Sequence, residues 1–142
     1  MTCVDELPES VLATPDRCVA VTVFELSTRI GREAVAVVST VAAPPQPGIV
    51  GGLLGARRVR HAPAFVVNKL TDYADGLVCP LLLPDELTLL IDDRVPVDDG
   101  LVYTATGERF TALALRSLDL LSLLPGKSVD LRPPRARVAL PR

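Results

Sequence analysis

"LVYTATGERFTALAL", residues Leu101 to Leu115, decides how the rest of the chain is read. Two runs rich in apolar and β-branched residues flank Thr106-Gly107, and glycine accepts the positive φ that a tight hairpin turn demands. Along both runs the residues alternate, Val102 and Thr104 against Phe110, Ala112 and Ala114. A period of two is the mark of a strand with one buried face. The stretch therefore predicts a β-hairpin, Leu101–Ala105 with Arg109–Leu115, and a β-rich fold around it.

Working outward, LVCPLLL, ELTLLID and RVPV are short apolar runs separated by turn residues, and Asp98-Asp99-Gly100 is a second hairpin signal. Further upstream, CVAVTVFEL (Cys18–Leu26) and EAVAVVSTVA (Glu33–Ala42) are strand-like and joined by too short a loop for a crossover helix, so they should pair antiparallel. Ala64 to Ala74 reads as a short helix stopped at Gly76, and Ser117 as the cap of a brief helix over LDLLSLL. SVDLR and ARVAL close the chain as last strands or extended tail. The fold class expected is mainly β, a small antiparallel barrel or sandwich with one or two short helices. Its core should include Val19, Val21, Val23, Val35, Val37, Leu89, Ile91, Val102 and Leu113.

One stretch does not fit a strand. PPQPGIVGGLLGARRVRHAP (residues 44–63) opens with prolines that remove ladder donors, continues through four glycines, and ends in Arg57, Arg58, Arg60 and His61. A phosphate-gripping loop needs a Lys-Ser/Thr after the glycines, or a G-x-G-x-x-G after a strand, and neither is present. The stretch reads as a flexible loop or arm within a single domain, 1–142, that also carries a basic extended tail at 132–142.

Composition narrows the function classes. The chain is 49% hydrophobic yet only 4% aromatic, so the core must be aliphatic. A net charge of −2 argues against general nucleic-acid binding, which needs basic excess to displace counterions. No apolar run reaches the roughly 20 residues of a membrane span. Acidic residues near the start exclude a secretory leader, and three cysteines without one point to reduced thiols in a cytoplasmic or intracellular protein that is not secreted.

Catalytic sets are hard to find. Cys3, Cys18, Cys79 and His61 lack any paired metal-ligand spacing, so no metal and no cofactor is expected. His61 is the only histidine and has no acid close in sequence to orient it, which leaves no catalytic triad. Asp92-Asp93 and Asp98-Asp99 are adjacent pairs whose side chains point to opposite faces of a strand. With no catalytic residues assigned, the sequence points to a non-enzymatic structural or interaction subunit that self-associates or docks into a larger assembly. Partner contacts would come from Arg57, Arg58, Arg60, His61, Arg132, Arg135 and Arg137. RVPVDDGLVYTATG (Arg94–Gly107) resembles the strand and glycine-turn pattern of phage neck and decoration barrels, which implies a viral or phage particle component and a virion location. Two alternatives stand beside this: a domain that binds a small anionic ligand, or acts as an enzyme, through the basic loop 57–61, and a regulator that binds a partner protein.

Overall fold

The computed structural model describes the backbone of residues 2–4 and, in full, residues 14–81, 83–108 and 111–133. The strands are β1 (Thr2–Val4), β2 (Cys18–Thr28), β3 (Gly31–Thr40), β4 (Arg58–His61), β5 (Thr88–Asp92), β6 (Leu101–Thr104), β7 (Ala112–Arg116) and β8 (Lys127–Val129). Three helices are α1 (Pro47–Leu54), α2 (Ala64–Thr71) and α3 (Ser117–Leu123). The fold is mainly β with a few short helices, and its strands form one open sheet in the order β1-β7-β6-β2-β3-β5-β8, with β4 beside β2. None of the described helices is long and apolar enough to cross a membrane.

The expected hairpin of β2 and β3 is present, antiparallel in register from Val19↔Thr40 to Thr28↔Gly31. The purely antiparallel expectation needs correction. β2 pairs with β6, β3 with β5 and β5 with β8 in parallel, because the intervening segments carry the chain back across the sheet. RVPV forms no strand, and Asp98-Asp99-Gly100 does not join neighbours: β5 and β6 lie on opposite sides of the β2–β3 pair.

β6 and β7 do pair, antiparallel, but their connection spans 105–111 and is longer than a tight turn at Thr106-Gly107. Val102 faces Leu115 and Thr104 faces Leu113, so the same-face residues on β7 are the leucines and not Ala112 and Ala114. A one-residue slip moves a strand's whole set to the other face. Gly107 is held at φ +94°, and an added Cβ would stand 2.6 Å from the Tyr73 ring. Arg109 and Phe110 lie outside the described residues, as do Arg135, Arg137 and the rest of the tail beyond 133.

The sheet buries both faces. On one, Val19, Val23, Ala36, Val38, Leu89, Ile91 and Val102 pack under Val67 of α2, Val78 and Leu87 of the following segment, and Leu120 of α3. On the other, Phe24, Leu26, Val35, Val37 and Leu90 pack under Val50 of α1 and Leu131. Odd and even residues of β2 thus go to different cores, which is why CVAVTVFEL is apolar at nearly every position. Most of the expected core is buried, whereas Val21 and Leu113 are only partly so.

The stretch read as a flexible loop or arm is built into secondary structure. Pro47 sits at the first turn of α1, where its missing N–H costs nothing, and Gly55 ends the helix at φ 66°. The arginines then enter β4, which pairs antiparallel with the far half of β2. Asp72, at φ 63°, ends α2 where Gly76 was expected to.

Candidate functional site: a cavity at a gap in the sheet

β2 has two different neighbours along one edge. β6 is in register only with Cys18 and Val19, and β4 only with Phe24 to Ser27. Between them no strand lies opposite Ala20 to Thr22 among the described residues. The carbonyls of Arg17, Val23 and Ser27 accept from Tyr103, Ala62 and Arg57 on that edge, at 2.9, 2.9 and 2.8 Å. Alternation along a strand then aims the Val21 N–H and C=O at the gap.

A cavity of about 310 Å³ opens there. Its walls are apolar, from Val19, Val21, Leu77, Val78 and Ala112. The polar groups are few: Cys18, Tyr103, Thr104, Thr111, and Glu108 as the one charged side chain among the described lining residues. The 105–111 connection that carries Glu108 is tied internally. Thr111 Oγ1 donates to the Glu108 carbonyl at 2.8 Å and contacts Thr106 Oγ1, and the Glu108 N–H donates to Thr106 Oγ1 at 3.2 Å. Thr104 is 3% exposed, and its Oγ1 has no hydrogen-bond partner among the described residues.

The thiols nearby are not armed as nucleophiles. Burial, reinforced by the charge of Asp16, pushes the Cys18 thiol up, and burial pushes Cys79 up as well. Both stay protonated at neutral pH, and it is the thiolate that attacks. Among the described residues no group of His, Cys, Asp and Glu is placed to hold a metal ion.

Of the residues singled out from sequence for their chemistry, Cys18 lines this cavity, whereas the described residues expected to make partner contacts do not. Arg60 pairs with Glu25 at 2.7 Å, and His61 lies against Phe24 with ring centroids 4.8 Å apart. Arg132 bridges Asp93 at 2.7 Å and Asp130 at 3.2 Å. Arg57 and Arg58 are exposed at the other end of β2. The cavity escaped sequence reading because its walls come from residues 15 to 112 and contain no short motif. Gly76 and Gly107 at positive φ were its nearest signals.

Residues 3–123 match the sequence model of the family described as "Aminoacyl-tRNA editing domain". The chain belongs to that family. Its fold is also that of a protein proposed to be a trans-editing enzyme for prolyl tRNA synthetase, at 22% identity and TM-score 0.75, covering 93% of this chain and 86% of that one. A hypothetical protein, APE2540, superposes with TM-score 0.71 at 22% identity over 92% of this chain and 86% of its own. A scaffold from computational epitope grafting matches at 17% identity with TM-score 0.75, over 93% and 86%. No curated protein matches the chain.

Membership overturns three expectations. An editing domain is not a non-enzymatic structural subunit, and the viral or phage particle reading falls with it. The exclusion of nucleic acid as partner is also wrong, since the family's substrate contains tRNA. That exclusion averaged charge over the whole chain, whereas RNA meets a local surface.

Proposed function

We propose that this editing domain is a hydrolase that removes a mis-attached aminoacyl group from tRNA, with the cavity at the β2 gap as the aminoacyl site. The observation that carries the reading is the family match, whose span 3–123 contains every residue lining the cavity. In the reaction, water attacks the ester carbonyl carbon and the bond to the terminal ribose oxygen breaks. The ribose oxygen takes up a proton, and free amino acid and tRNA leave.

Each part of the cavity has a role in that chemistry. The Val21 N–H, aimed into the gap, donates to the oxygen that gains negative charge as water adds. Glu108 supplies the negative charge that pairs with the α-ammonium of the aminoacyl group. Val19, Leu77 and Val78 receive its side chain, and each methylene that fits or fails to fit is worth about 1–3 kcal/mol of discrimination. The site of action is intracellular, where aminoacyl-tRNA is made.

Deacylation of a panel of misacylated tRNAs tests the reading, and release no faster than the spontaneous rate for every member would sink it. Glu108→Gln separates the roles. N-acetylation removes the α-ammonium charge, so the native protein should hydrolyse N-acetylated substrate with a raised KM. The variant should show the same high KM for both forms. If Glu108→Gln lowers kcat for both forms equally and leaves KM alone, the carboxylate does not hold the ammonium.

A further inference from the structure

We infer that the arginine-rich end of β2, β3 and β4, together with the exposed Phe65 of α2, is the surface that carries the RNA of the substrate. The inference rests on the editing reading above but concerns a different part of the molecule. Arg17, Arg60, Arg94, Arg116 and Arg132 each meet a carboxylate. Arg29, Arg32, Arg57 and Arg58 form no ion pair among the described residues, and all four are exposed at one end of the sheet.

The register shows how they converge. Ser27 stands opposite Arg32 on β3 and opposite Arg58 on β4. The two arginines therefore flank it on one face, about 10 Å apart across two strand spacings. They line a concavity of about 410 Å³. Nearby acids do not neutralise them: Glu25 is engaged by Arg60, and Glu33 stands opposite Leu26, whose side chain enters the core on the other face. In a chain of net charge −2, this is an uncompensated cationic patch suited to a polyanion.

Ser27 shares its face of β2 with Val19 and Val21 at the cavity. It lies six positions along the strand from Val21, roughly 20 Å. Helix α2 follows β4 directly in the chain, and its Val67 belongs to the same core cluster as Val19 and Val23. Its outer side offers Phe65, 73% exposed, and Lys69. An exposed aromatic ring beside cations is the means by which proteins hold single-stranded nucleic acid, by base stacking and phosphate contact. An acceptor end seated in the cavity would cross α2 at Phe65 and bring upstream phosphates to Arg32 and Arg58.

The test is binding of unfractionated deacylated tRNA as a function of salt. Arg32→Ala with Arg58→Ala should weaken binding about tenfold at moderate salt and make the slope of log affinity against log salt less negative by about 2. Phe65→Ala should weaken binding with the slope unchanged. Hydrolysis of a short aminoacyl ester without RNA, and the melting temperature, should stay as in the native protein. Unchanged tRNA affinity and slope in the double arginine variant would overturn the inference. So would polyglutamate binding as tightly as tRNA with no effect of Phe65→Ala, which would mark a surface for any polyanion. Loss of ester hydrolysis in the native protein would instead count against the editing reading, so the two failures are distinguishable.

Discussion

Asp98 ties three separate backbone positions together. Its carboxylate accepts from Arg17 Nη1 and Nη2 and from the Gly100 N–H, all at 2.8 Å, while Arg17 Nε donates to the Leu101 carbonyl at 2.9 Å. The Arg17 guanidinium, and then the Gly100 N–H, hold the Asp98 carboxyl down at about 2 against an ordinary 3.8. A carboxyl with a lowered folded pKa contributes stability above its unfolded value and loses it as pH falls through the folded one. Asp98→Asn should therefore melt at a lower temperature than the native protein at pH 6, with the difference shrinking between about pH 4 and pH 2. Melting curves across that range check it, and a difference that persists at pH 2 would remove the ion pair as its cause. The sequence reads Asp98-Asp99-Gly100 as a hairpin turn, whereas Gly100 is not at positive φ and Asp98 instead accepts locally from the Gly100 N–H. Arg17 as partner could not be read, because it is 81 residues away.

Helix α1 shows what local pattern hides. Its proline and glycines suit a connector, yet two of those glycines have different jobs. A Cβ at Gly51 would meet Val59 Cγ1 at 2.7 Å, so the missing side chain is what lets α1 lie on β4. At Gly52 a Cβ meets nothing within 4 Å. Gly51→Ala should destabilise by about 1–3 kcal/mol through overpacking. Gly52→Ala should stabilise by about 0.5–1 kcal/mol, because alanine loses less backbone freedom in a helix. Chemical denaturation of the two variants measures this, and equal shifts for both would refute the packing account. The β2–β3 hairpin and the positions of α2 and α3 were legible, since apolar periodicity and short connections report local geometry. The α1 segment was not, because its burial depends on β4 arriving underneath it.

Across the whole molecule the two cores share one sheet, so they should unfold together. Cys79 is 7% exposed and makes a useful reporter. In a variant with Cys3→Ser and Cys18→Ser, the denaturant midpoint for Cys79 reactivity should coincide with that for loss of circular dichroism. Earlier thiol exposure would show that the segment covering the core opens separately. The same scale explains what sequence reading missed about function. Net charge and motif searches treat residues by their order, whereas the cavity gathers residues 15 to 112 and the cationic patch joins three strands. By itself the sequence determined the β-rich class, an aliphatic core and the β2–β3 pair, because side-chain period and loop length act between near neighbours. Tertiary structure alone decided the parallel pairings, the gap beside Val21 and the gathering of Arg32 and Arg58 around Ser27. Those depend on which distant strands share an edge, and that is settled by burying both faces of one sheet at once.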